Sequence, residues 1–270
     1  VESGQLKYDR TDVIEGTVNG ESGWWYVVGG KVTRDTTVAK NSLGWWRIEN
    51  GKVNFNFNGI ASNENGTWYL SGGKVDFNYT GFGSDGTDWW YVEKGQVNYN
   101  KTDVMKTTIN GETAWWHVVG SKVTKDTTVA KNSNGWWYIK DGKVDFGYNG
   151  FAQNSNGWWY LENGKVTFQK NDVIKGTVNE TNGWWHVIGS KVIFDTTVAK
   201  NGNGWWYIKN GMVDFTHSGV EKNENGWWRI ENGKVNFGFY GFAENSNGWW
   251  YLEGGKVNFG YNGTVTADEK

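Results

Sequence analysis

The chain has 270 residues, with no proline, no cysteine, 40 glycines, 21 tryptophans and a formal charge of −2. The lack of cysteine excludes disulfides, and the even mixture of acids and bases gives no electrostatic basis for a nucleic-acid or anionic-membrane partner. No apolar run approaches the ~20 residues of a membrane-inserted helix, and Leu, Ile, Val and Phe are too sparse for a thick globular core. Aromatics nevertheless reach 17%, well above a disordered linker, and a repeat array satisfies both observations.

The opening segment Val1 to Val13, VESGQLKYDRTDV, parallels VEKGQVNYNKTDV at Val92 to Val104. It therefore reads as the second half of a hairpin whose tryptophan strand is missing, and the chain as a piece of a longer array. Complete hairpins follow, with two-residue turns at Gly29-Gly30, Asn50-Gly51, Gly72-Gly73, Lys94-Gly95, Gly120-Ser121, Asp141-Gly142, Asn163-Gly164, Gly189-Ser190, Asn210-Gly211, Asn232-Gly233 and Gly254-Gly255. Such pairs suit I′ or II′ turns, with Lys94 the weakest of them. The copy NGWWYLENGKVTF at Asn156 to Phe168 shows the design. Pairing outward from its turn sets Glu162 against Lys165, Leu161 against Val166, Tyr160 against Thr167 and Trp159 against Phe168. Alternation then places Trp159, Leu161, Val166 and Phe168 on a core face, and Trp158 and Tyr160 on an outer one.

The first tryptophan of each pair falls at 24, 45, 89, 115, 136, 158, 184, 205, 227 and 249, with Thr67 in that place once, while the second is never replaced. Between hairpins run connections of 10, 11 or 15 residues. The shortest read DTTVAKN at Asp35, Asp126 and Asp195; the longest contain segments at Thr102 and Asn171 that also occur at Thr11. Larger modules thus begin near 11, 102 and 171. The expected fold is all-β: a solenoid of tandem two-stranded hairpins, eleven complete and one truncated. It would form a single repeat domain over 1–263 with a polar tail at 264–270, its seam built from the second tryptophans and the Val and Phe of each second strand.

At GWWYLENGKV the unit resembles the choline-binding and glucan-binding type of cell-wall-binding repeat found on bacterial surface proteins. The resemblance covers the chain from Val1 to about Gly263. It implies a non-catalytic β-hairpin solenoid, extracellular and at the bacterial surface, that docks onto wall polymers or other glycans. It further implies shallow ligand sites between consecutive hairpins, formed by the first and third aromatics of a triplet and the residue opening the next unit. Here those are Trp136 with Tyr138, Trp158 with Tyr160, Trp205 with Tyr207 and Trp249 with Tyr251. The third wall, a tryptophan in the family, becomes Ile60, Phe82, Phe151, Val129, Val220 or Phe242. A quaternary ammonium needs several π faces around it, so this loss disfavours choline and leaves a neutral glycan, for which Asn154 and Asn156 offer hydrogen bonds.

Other readings of these residues stand beside this one. The outer Trp and Tyr can serve packing between repeats alone, in a spacer, or contact a host or surface protein, in an adhesin arm. The third triplet position is Tyr, His117, His186, Arg47 or Arg229, a tolerance expected of a partly exposed site, with the histidines standing in for tyrosine. No catalytic residues, cofactor or metal ligands are expected: carboxylates recur at repeated positions rather than in one constellation, and the Asx-rich segments lack the alternating acids of a calcium loop.

Overall fold

Each two-residue turn bends the chain with both central residues at positive φ, as a type I′ turn demands. Asn163 lies at φ 51° and Gly164 at 72°, and even Lys94 adopts 50°. At Gly164 space as well as φ requires glycine, since a Cβ there would stand 2.2 Å from the carbonyl oxygen of Asp145. Ser121 and Ser190 hold the same place after the 15-residue connections. Both are buried, with Oγ accepting from the backbone N–H of Lys101 and Lys170, respectively.

These turns belong to a computed structural model that describes residues 8–264, so the predicted half-hairpin at Val1 to Val13 lies largely outside it, as does the tail from 265. No helix occurs among the described residues, and none is therefore long and apolar enough to cross a membrane. The chain divides into two compact units, Val1–Thr127 with Ile139–Val144, and Thr128–Tyr138 with Asp145–Lys270.

Within each unit the repeat is larger than the predicted hairpin, because the connection contributes a strand of its own. Gly150–Asn154 pairs antiparallel with Gly157–Leu161, Phe151 against Tyr160 and Ala152 against Trp159. The module starts carry longer versions, such as Asp172–Val178 against Thr181–Ile188. The strand after the glycine turn is correspondingly short. It comprises only Lys165–Val166 in this repeat, and Lys-Val or Met-Val elsewhere. In the sheet each such dipeptide after Lys31–Val32 lies between its own tryptophan strand and that of the preceding repeat: Lys191 pairs with both Ile188 and Trp159. The turn carbonyl closes the same junction, as Ser190 accepts from the N–H of Tyr160 and Gly233 from that of Tyr207. In the second unit this pattern builds a 14-stranded antiparallel sheet from Gly150 onward, and the first unit opens with a nine-stranded one.

The shortness of the second strand corrects one face assignment. Trp159, Leu161 and Val166 are buried as alternation requires, but Phe168 is 45% exposed at φ 61°. Its counterparts, Phe55, Phe77, Phe146, Phe194, Phe215, Phe237 and Phe259, are exposed as well. In repeats with 11-residue connections, an Asx side chain directly after Lys-Val bonds the backbone N–H two residues on, as Asp145 does for Gly147, and this turn ends the strand before the Phe. The core centre is therefore aliphatic. Ile48, Leu70, Ile139, Leu161, Ile208, Ile230 and Leu252 are fully buried, each flanked by the Val of its own short strand.

Candidate functional site

The two tryptophans of a pair sit in different surroundings. The second is buried at Trp159, Trp185 and Trp228 and partly buried in the other copies. Trp159 has the ammonium of Lys191 over one face at 5.5 Å, Phe168 edge-on at 5.5 Å and Trp136 at 5.2 Å. Its indole N–H donates to Asn154 Oδ1, which also accepts from the N–H of Asn156, while Asn154 Nδ2 donates to the carbonyl of Val129. Both the oxygen and the nitrogen of the Asn154 side chain are thus engaged within the fold. Asn41, Asn63, Asn201, Asn223 and Asn245 do the same work elsewhere. In the longer module-opening strands the indole donates instead to the carbonyl of Gly16 or Gly176. Trp116, where Thr107 replaces that glycine, has its buried N–H unpaired.

The first tryptophan reaches across to the next repeat. Trp24, Trp45, Trp136 and Trp205 lie 5.2 to 5.7 Å from the second tryptophan of the following copy, at Trp46, Trp68, Trp159 and Trp228. Trp249 is followed by no further copy among the described residues and is 47% exposed. Thr67 shows how the place is given up: its hydroxyl meets Ser62 and the hydroxyl of Tyr99, which stands where most repeats carry Phe. One substitution thus answers the other across the repeat junction.

The third triplet position is set by connection length. Before an 11-residue connection it stacks on the residue ten places on. Tyr138 lies 3.7 Å from Tyr148, Tyr207 3.9 Å from His217 and Tyr251 3.9 Å from Tyr261, while Arg47 and Arg229 sit over Phe57 and Phe239. Before a 15-residue connection that partner is lysine, Lys101 beside Tyr91 and Lys170 beside Tyr160. Before a 10-residue connection the residue nine places on is aspartate: His117 bonds Asp126 and His186 bonds Asp195, both at 2.9 Å. Burial works to raise the Asp126 carboxyl, yet hydrogen bonds from Thr124 and His117 outweigh it and hold the group below the ordinary carboxylate value. Tyr26, nine places before Asp35, has its phenol raised by burial first and then by the charges of Asp35 and Glu64. Tolerance at this position therefore reflects a changing partner rather than simple exposure.

Open clefts recur where the third triplet position of one repeat meets the first tryptophan of the next. In the first unit a cleft of about 860 Å³ is lined by Tyr26, Asp35, Lys40, Trp45, Glu64 and Trp68 among others. In the second, one of about 650 Å³ is lined by the equivalent His186, Asp195, Lys200, Trp205 and Glu224. A smaller cleft of about 330 Å³ joins Tyr160 and Lys170 to Trp184. Of the residues singled out from sequence, Trp205 and Tyr160 border clefts, and Trp249 faces outward. Trp136 and Tyr138 are half-buried against neighbouring rings, and Trp158 donates to Asn179 Oδ1. Phe151 and Tyr207 are each 7% exposed, inside packed clusters. In the cleft at Trp205 the indole is joined by His186 of the preceding repeat rather than by Tyr207. The acids and lysines of these clefts were not singled out, although the DTTVAKN copies at Asp35 and Asp195 carry most of them.

The choline-binding repeat profile matches residues 15–33, 35–54, 56–76, 78–98, 125–145, 147–167, 194–214, 218–236 and 238–258, more than half of the chain. The chain belongs to the choline-binding repeat family. No curated protein sequence matches it. Among solved structures, CbpJ from Streptococcus pneumoniae TIGR4 is similar over 89% of this chain and 93% of its own, at 16% identity and a TM-score of 0.30. Choline-binding protein F from Streptococcus pneumoniae is similar over 88% and 78%, at 18% identity and 0.28. The modular autolysin LytC of the same species, solved with a synthetic peptidoglycan ligand, is similar over 78% and 51%, at 13% and 0.26. With scores this low, membership of the family rests on the repeat matches.

Proposed function

We propose that the chain is a non-catalytic module that holds polymers of the bacterial cell wall outside the cell, the array over 1–263 acting through shallow aromatic sites between successive repeats. The observation that carries this reading is the recurrence, in a chain of choline-binding repeats, of a first tryptophan bordering a polar cleft. Trp205, Tyr160 and the outward-facing Trp249 are the sequence-derived candidates best placed to meet a ligand, with Trp136, Tyr138, Trp158 and Tyr251 partly exposed beside them. Many weak sites on one polymer add through effective concentration, so no single deep pocket is needed. The third wall of a quaternary-ammonium cage is occupied by core residues here, Ile60, Val129, Phe151 and Val220 all being buried, which favours wall glycan over choline.

A second reading has its own observation. The first tryptophans pack on the next repeat, so they can serve cohesion alone in a spacer or adhesin arm. Sedimentation of the whole chain with purified Gram-positive cell walls separates the two. The binding module co-sediments; a chain left in the supernatant, under conditions where another choline-binding repeat module is retained, contradicts it and favours the spacer.

A further inference from the structure

The hairpins that close the first two modules are built differently from the rest. In the other repeats the residue after the short strand bonds back to its own tryptophan strand, as the N–H of Asp145 does to the carbonyl of Tyr138 and that of Ile193 to His186. The valine before it is paired there too, Val144 with Ile139 and Val192 with Val187. In the repeats at Trp89–Val92 and Gly157–Leu161 both links are missing. Among the described residues, the backbone bonds between the two strands across those turns are confined to the closing pairs, Glu93 with Gln96 and Glu162 with Lys165.

Each half of such a hairpin follows a different neighbour. Lys165 and Val166 pair with Trp137 and Trp136 of the preceding repeat, whereas Trp159 pairs with Lys191 of the following module. Gln96 and Val97 bond in the same way to Trp68 and Thr67. Thr167 is tied forward, its hydroxyl meeting that of Ser190, whose Oγ also accepts from the N–H of Lys170. The two strands at Asn163-Gly164 thus belong to different sheets. Beyond them the chain passes through Tyr99 at φ 58° and Phe168 at 61°. Bulky side chains avoid this left-handed region, and the equivalent Phe of the other repeats stay out of it.

What still joins the halves is mainly apolar: Leu161 and Val166 share one buried cluster, Val92 and Val97 another. Apolar contact has no preferred direction and tolerates a change of angle that a hydrogen-bonded ladder does not. We infer that these two hairpins are hinges, at which the modules beginning near 11, 102 and 171 reorient by parting the two strands, whatever the array binds. Junctions inside a module keep their ladders and stay stiff.

Chymotrypsin tests this with internal controls. Phe168 is 45% exposed, against 51% for Phe146 and 49% for Phe215, so exposure alone makes it the slowest of the three bonds to be cut. Cleavage of a folded chain follows the population of its locally open form, and the missing backbone bond corresponds to up to about tenfold in that population. In digests of the whole chain well below its melting temperature, timed by mass spectrometry, cleavage after Phe168 should outpace that after Phe146 and Phe215 by about tenfold. Rates that are equal, or slowest at Phe168, overturn the hinge. The chain has no cysteine, so Glu162→Cys/Lys165→Cys can form a single disulfide across the closing pair, whose ~5.5 Å spacing suits one. Oxidation should bring Phe168 down to the rate of Phe146 and reduction should restore it, while the same staple at Lys140→Cys/Lys143→Cys leaves Phe168 unchanged. A rate at Phe168 indifferent to its own staple overturns strand parting as the motion.

Discussion

Neighbouring tryptophans in the same strand have opposite duties. The second, typified by Trp159, is held by a lysine, a phenylalanine and an asparagine that recur in most of the standard repeats, whereas the module-opening copies replace the asparagine with a glycine carbonyl. The first, typified by Trp205, looks outward to the following repeat and to a cleft whose walls depend on the connection, so its surroundings change from copy to copy. A side chain packed by its own repeat and by both neighbours, as Trp159 is by Phe168, Lys191 and Trp136, has little freedom to vary. One whose neighbours come from a junction can be covered, opened or, at Thr67, replaced.

The sharpest way to break this contrast is truncation. Trp159→Ala should lower the stability of the second unit by about 3–5 kcal/mol, as large-to-small changes at buried aromatics do, whereas Trp249→Ala at its exposed site should cost well under half of that; paired denaturant titrations read the difference. Asn154→Ala, which orphans the Trp159 indole and removes the link to Val129, should cost about 1–3 kcal/mol on the same measurement. The Thr67–Tyr99 exchange sharpens the junction side. Thr67→Trp and Tyr99→Phe should each destabilise alone, and the double variant should lose less than their sum, with a coupling of about 0.5–3 kcal/mol in a double-mutant cycle. Strict additivity would show that the two positions do not compensate.

The smallest effect concerns pH. Because the folded state holds the Asp126 carboxyl below its ordinary value, its contribution is fully present above the unfolded value of ~4 and is lost as the pH falls through the folded one. The stability gap between the wild-type chain and Asp126→Asn should therefore shrink as the pH falls below about 4. A gap that widens below about pH 4 would place the carboxyl the other way.

Much of this was legible in the residues. The glycine turns, the buried trio of Trp159, Leu161 and Val166, the all-β hairpin class and the family itself follow from NGWWYLENGKVTF and its copies. The strand inside the connection did not show, because GFAQN opens on glycine, ends on asparagine and spans only five residues, which reads as a loop until Ala152 is seen opposite Trp159. Phe168 misled for a related reason: alternation holds only while the strand continues, and here the chain turns away after Val166. The clefts were hidden because they combine residues from successive repeats, whereas pattern reading grouped residues within one strand. Connection length carried the missing information, since the partner of the third triplet position lies nine residues on in the 10-residue class and ten in the others.

The most direct test is the binding of Trp45→Ala/Trp205→Ala to purified cell walls, measured beside Trp159→Ala, each at a temperature where its melt shows the fold intact. The account predicts that the first pair loses retention by at least tenfold while Trp159→Ala, though less stable, still binds. Retention by the Trp45/Trp205 variant equal to that of the wild-type chain would contradict it.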